Sequence, residues 1–124
     1  MRQHLIDFWK LIRSKQIGFE SQDFRDYIRY SSGFLYCDPP YFNSVGSYNE
    51  RKGWTIQDET DLRNLLVEYK NKFALSNNLK YNDTLLDWCN DNGFKVHYLN
   101  NSYSNCSYNK KDESKDCEVL ITNY

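Results

Sequence analysis

The chain is most tightly constrained at Asp38-Pro39-Pro40-Tyr41. The run before it, Phe34-Leu35-Tyr36-Cys37, is apolar and aromatic and follows Ser31-Ser32-Gly33, so it reads as a short buried strand. Pro39 ends the ladder there, because it has no backbone N–H and a fixed φ. Pro40 repeats the restriction and pushes Pro39 toward extended backbone. A rigid corner at the carboxyl end of a strand follows. It carries the Asp38 carboxylate on one side, the Tyr41 ring on the other, and the Pro39 carbonyl between them. Such a set suits a planar base with an exocyclic amino group. Asp38 and the Pro39 carbonyl accept the two amino hydrogens, and Tyr41 stacks on the ring. The plainer alternative is a tight turn that closes a strand and leaves Asp38 as a surface acid.

With 124 residues, positions 1–124 form one domain at most, with a modest core. A formal net charge of −1 supplies no global footprint for nucleic acid, so any DNA contact rests on local patches. No apolar run reaches transmembrane length, and the N-terminus lacks a signal-peptide pattern. Cys37, Cys89, Cys106 and Cys117 form no C-x-x-C pair, so no metal site is expected. Cys37, Cys89 and Cys117 fall in predicted strands or helices, where reduced, buried cysteine is the common case. A reducing, cytoplasmic setting is the expectation.

Leu5, Phe8, Trp9 and Ile12 recur at helical spacing, which predicts an amphipathic helix over residues 3–14. Gln16 to Glu20 reads as a short strand, and Ser21 or Asp23 as the cap of a helix from Phe24 to Tyr30. Residues 42–54 are polar with two glycines and read as a functional loop, with Arg51-Lys52 as a basic point beside Tyr48 and Trp54. Thr55, with Asp58 three positions on, starts a helix whose inner face is Leu62, Leu65, Leu66 and Tyr69. Phe73 to Ser76 is a buried strand ended by Asn77-Asn78. Asp83 opens a helix with Leu85, Leu86 and Cys89 inward, stopped by Gly93. Lys95 to Leu99 and Cys117 to Thr122 are strands, with a polar loop over 100–116. The alternation predicts an α/β sheet with helices on both faces, parallel in its centre, its last two strands paired as a hairpin. Ligands of such sheets gather at strand carboxyl ends, where Asp38 to Tyr41 and Ser76-Asn77 are expected to converge.

Tyr36-Cys37-Asp38-Pro39-Pro40-Tyr41 resembles the catalytic motif of the Dam-type DNA adenine-N6 methyltransferases. The form with Asn in place of Asp also occurs in enzymes acting on RNA or a protein glutamine amide; Asp points toward DNA adenine. The segment Tyr48 through Trp54 is similar to the family's loop over the target base. Phe73-Ala74-Leu75-Ser76-Asn77 resembles its next strand, and Ser102 to Asn105 with Glu118 to Tyr124 its C-terminal hairpin. Phe19-Glu20-Ser21-Gln22-Asp23-Phe24 is similar to a strand end that helps hold the cofactor's adenosine. The family's Phe-x-Gly-x-Gly cofactor loop has no counterpart, because Gly18, Gly33, Gly46, Gly53 and Gly93 are the five glycines and no two lie close enough.

The resemblance implies a C-terminal catalytic portion with a partial Rossmann-like methyltransferase sheet, lacking the N-terminal cofactor-loop strand. It implies methyl transfer from S-adenosylmethionine to adenine N6 of double-stranded DNA, the adenine being flipped out, by a chain incomplete alone. Asp38, Pro39 and Tyr41 are then the catalytic set, and Asp23, Phe24 and Asp38 the cofactor contacts. Tyr41, Phe42, Tyr48, Arg51 and Lys52 are the nucleic-acid contacts. Neither a metal nor a membrane is implied. An N-terminal half or a second copy is the expected partner. Two other readings stay open: a non-catalytic module binding DNA or a partner subunit of a split enzyme, and an amino-methyltransferase acting on RNA or protein.

Overall fold

A computed structural model describes residues 2–15, 17–41, 53–82, 84–99 and 117–124. The elements are α1 (Arg2–Ser14), α2 (Phe24–Tyr30), β1 (Leu35–Cys37), α3 (Ile56–Glu68), β2 (Phe73–Asn78), a 3-10 turn (Leu79–Tyr81), α4 (Leu85–Asn92), β3 (Lys95–Tyr98) and β4 (Glu118–Thr122). Helix boundaries follow local chemistry. Asp23 caps α2 by accepting from the Arg25 N–H at 2.8 Å. Thr55 and Asp58 form a reciprocal capping box at α3. Gly93 stops α4 in the left-handed conformation, φ 69°, where a side chain would be strained. Asp83, expected to open α4, lies outside the described residues. Residues 17–20 of the expected strand at 16–20 are not in a strand.

The expected α/β class is present as a mixed four-stranded sheet in the order β1-β2-β4-β3. β1 and β2 run parallel, while β4 is antiparallel to both β2 and β3. The expected hairpin of the last two strands therefore forms, but the sheet's centre is antiparallel rather than parallel. The cause is placement: β4 is the antiparallel neighbour of β3 and also fills the position beside β2.

Residues opposite one another in a ladder share a face. Leu35, Phe73, Leu75, Val119 and Ile121 thus lie on one face, where they join Ile28 of α2, Leu62 and Leu66 of α3, and Leu85 and Cys89 of α4. Among the described residues the packed helices meet this face alone, whereas the sequence predicted cover on both. Tyr36, on the opposite face of β1, is 58% exposed, and Phe34 just before the strand is 61% exposed. The predicted buried strand from Phe34 to Cys37 is therefore buried through Leu35 and half-buried at Cys37 only. α1 forms where its periodicity placed it, yet Leu5, Phe8 and Trp9 stay exposed. Cys37 and Cys89 are free thiols, but Cys117, expected reduced, is disulfide-bonded. No described helix is long and apolar enough to cross a membrane.

Candidate active site at the carboxyl end of β1

Asp38 leaves β1 at its carboxyl end and is exposed, while Pro39 and Tyr41 are half-buried. The side-by-side run of β1 and β2 brings Ser76 against it. Ser76 Oγ stands 2.6 Å from Asp38 Oδ1 and 3.2 Å from the Cys37 carbonyl oxygen. A hydroxyl has one proton, and the shorter contact to a carboxylate is the stronger bond. Ser76 thus donates to Oδ1, orients the carboxylate and leaves Oδ2 without a partner among the described residues. The convergence of the Asp38 corner with the end of β2 is as the sequence predicted. Burial pushes the Cys37 thiol up to about 11, so the cysteine beside the corner is a neutral packing group and not a nucleophile.

Asp23 and Phe24 take a different position. The Asp23 carboxylate caps α2 and pairs with Arg25 at 3.3 Å. Phe24 packs on Trp54 with ring centroids 5.3 Å apart. None of their described contacts reaches Asp38. Beside Phe24 opens a hollow of about 520 Å³ lined by Gly18, Phe19, Glu20, Gln22, Phe24 and Tyr27. Phe42, Tyr48, Arg51 and Lys52 lie outside the described residues. Among the described residues no cluster of His, Cys, Asp or Glu is arranged to hold a metal ion.

Two polar groupings that sequence inspection missed brace the region. Arg25 bridges α2 to α3 through Asp58 and through Asp61, the latter at 2.6 Å. Hydrogen bonds from Thr55 and Arg25 hold the Asp58 carboxyl down at about 2, and Asp58 and Asp61 raise the Arg25 guanidinium further above its ordinary value. Arg25 and then Gln57 likewise lower Asp61. The second grouping centres on buried Glu59. Its Oε2 accepts from Trp54 Nε1 at 2.9 Å, and its Oε1 from Asn82 Nδ2 at 2.8 Å and Arg63 Nε at 3.0 Å. Arg63 Nη2 in turn donates to Asn82 Oδ1 at 2.7 Å. The circuit ties Trp54, two positions before α3, to the connection that follows β2. Spacing within α3 gave a signal for the Glu59–Arg63 pair alone; Trp54 and Asn82 are set by tertiary packing.

The chain matches the family model described as D12 class N6 adenine-specific DNA methyltransferase over residues 2–114. It is 34% identical over 139 residues to Modification methylase StsI of Streptococcus sanguinis, a match covering 100% of this chain and 21% of that protein. It is 35% identical over 140 residues to Type II methyltransferase M.FokI of Planomicrobium okeanokoites, again covering 100% of this chain and 21% of the relative. The chain therefore spans about a fifth of the length of these relatives. With the Asp-Pro-Pro-Tyr corner held at the end of β1 and the family model matched along most of its length, the chain belongs to the D12 class of N6 adenine-specific DNA methyltransferases.

Proposed function

We propose that this chain is the C-terminal catalytic portion of a DNA methyltransferase that moves a methyl group from S-adenosylmethionine to adenine N6, and that it needs a further segment to act. The observation that carries the reading is the Ser76-held Asp38 directly before the Pro39 carbonyl. An adenine amino nitrogen is a weak nucleophile, because its lone pair is shared with the ring. Asp38 Oδ2 and the Pro39 carbonyl accept its two hydrogens, pull the nitrogen toward a tetrahedral shape and aim the lone pair out of the ring plane. Asp38 counters the positive charge that builds on nitrogen, and alignment supplies much of the remaining rate. When bound, S-adenosylmethionine supplies an electrophilic methyl.

The base is unreachable inside a duplex and must be extruded. Tyr41 is the proposed stacking platform, a contact worth about 1–3 kcal/mol per base in single-strand binders. Phe42 and Tyr48 extend the pocket in this reading, and Arg51 and Lys52 contact phosphate.

The lining of the hollow beside α2 fits the nucleoside part of the cofactor. Phe19, Phe24 and Tyr27 offer ring faces, and Glu20 and Gln22 offer polar ends. Asp23 keeps acceptor lone pairs beyond those its cap uses and is half exposed, with 52% of its side-chain surface open. These residues bind and orient; Asp38 works at the amino group.

The sheet is read as part of a Rossmann-like methyltransferase sheet. β1 has a ladder partner on one side only among the described residues, and Phe34 and Tyr36 stand exposed on the uncovered face at the same strand. A further strand of the methylase completes the edge, or a second copy does so in its absence. A binding module without catalysis draws on the same open edge. The test is transfer of labelled methyl to unmethylated DNA, by the chain alone and joined to the remaining methylase sequence. Label in N6-methyladenine that disappears in Asp38→Ala supports catalysis. No label from the completed enzyme rejects it in favour of the module.

A further inference from the structure

Trp54 stands next to Thr55, the cap of α3, and is half-buried. Its indole N–H donates to Glu59 Oε2 at 2.9 Å. The other oxygen of this buried carboxylate accepts from Asn82 and Arg63, so Glu59 is a fixed anchor. The indole in turn packs on the Phe24 ring, with centroids 5.3 Å apart and planes tilted by 41°, within the range of favourable aromatic pairs. Phe24 has a second neighbour. The Arg25 guanidinium lies over its ring, with Cζ 4.4 Å from the centroid, and Arg25 is itself tied to Asp58 and Asp61. Phe24 begins α2, yet both groups that flank it are anchored on α3. The same Phe24 is a wall of the hollow of about 520 Å³, whose lining does not include Trp54.

We infer that Trp54 is a positioning residue for cofactor binding: held by Glu59, it fixes the Phe24 ring in advance as a wall for the nucleoside part of S-adenosylmethionine. The inference rests on the reading of that hollow as the nucleoside site, and adds the group that shapes it. Trp54 does not touch the ligand and acts through Phe24. The gain is preorganisation. A half-buried ring that is left mobile must be ordered when the ligand arrives, and ordering one side chain weakens binding roughly twofold to tenfold. The indole N–H is what secures the arrangement. A phenyl ring in place of Trp54 would still pack on Phe24, but it would have no bond to Glu59.

The test is calorimetric titration of S-adenosylhomocysteine into the completed methylase, in native form and as Trp54→Leu, Phe24→Ala and the double variant. This probe keeps the nucleoside and has no methyl to transfer, so binding is read without turnover. Trp54→Leu is expected to raise Kd about fivefold at unchanged stoichiometry. A merely structural role would instead lower the number of sites and leave their Kd native. Phe24→Ala is expected to weaken binding at least as much. Adding Trp54→Leu to it then costs nothing further, as an action through Phe24 requires. A native Kd in Trp54→Leu, a native Kd in Phe24→Ala, or losses that add in the double variant overturns the inference. If Trp54→Leu does not fold, Trp54→Phe takes its place in the same cycle, with an expected rise in Kd of about threefold. Methyl transfer and its loss in Asp38→Ala are read separately, so a failed cycle leaves the methyltransferase reading standing. A completed enzyme that binds no S-adenosylhomocysteine overturns both.

Discussion

Ser76 Oγ lies 2.6 Å from Asp38 Oδ1, and it joins the end of β2 to the acid that follows β1. The bond holds one carboxylate oxygen and leaves the other without a partner among the described residues. In Ser76→Ala the carboxylate is free to rotate. Hydrogen bonds to charged groups contribute about 1.5–3 kcal/mol, so methyl transfer by the completed enzyme falls roughly tenfold to a hundredfold. Ser76→Thr keeps the hydroxyl and restores most of the rate. Steady-state kcat/KM on unmethylated DNA checks both, and a Ser76→Ala enzyme with native kcat/KM refutes the role.

Glu59 is 7% exposed and bonds Trp54, Arg63 and Asn82 at once. Glu59→Leu leaves the Arg63 charge short of its carboxylate partner and strips the acceptor from Trp54 Nε1. Removing one partner of a largely buried pair costs about 3–5 kcal/mol. The expected loss here is near 3 kcal/mol, because Arg63 keeps Asn82. Urea unfolding midpoints measure it, and a loss under about 1 kcal/mol would show that the circuit is ornamental to stability.

Asp58 titrates at about 2, below its ordinary 3.8, because Thr55 and Arg25 bond its charged form. A depressed folded value contributes stability above the unfolded value and loses it as pH falls through the folded one. The contribution is thus complete above pH 4 and disappears between about pH 4 and pH 2. Solvent still reaches the pair, so it amounts to about 1 kcal/mol. Unfolding free energies measured from pH 6 to pH 2 are expected to show this decline, and Asp58→Asn to flatten part of it. An identical pH slope in that variant would refute the assignment.

Local chemistry was legible and long-range placement was not. The Pro39-Pro40 corner, the Thr55–Asp58 box and the Gly93 stop each depend on neighbours a few positions away, and each is where the sequence placed it. The insertion of β4 beside β2 depends on pairing across the chain, which an alternating pattern does not encode. The single covered face of β1 was hidden for a related reason. Phe34, Leu35 and Tyr36 are all apolar or aromatic, so composition did not tell the buried Leu35 from its exposed neighbours. Ser76 was visible as a strand-end residue, but its bond to Asp38 needed the parallel register. Asp23 was read as a cap and also, from the family likeness, as a cofactor contact; the cap is in place.

The same exposed aromatics make a prediction about assembly. Phe34 and Tyr36 are 61% and 58% exposed, and Phe34 meets the Tyr124 ring edge-on at 6.3 Å. They stand on the uncovered face of the sheet at β1, a strand whose backbone has a ladder partner on one side only among the described residues. An open strand edge beside apolar rings recruits another strand or another copy. The isolated chain is expected to self-associate as concentration rises, with light scattering giving a mass above that of the monomer. Replacing Phe34 and Tyr36 together by Ser should return it to a monomer, since neither side chain belongs to the core cluster. Joining the remaining methylase sequence should do the same by covering the edge. A native chain that stays monodisperse and monomeric at high concentration would mean that the edge is already protected. The dependence on a further segment would then lose its structural support.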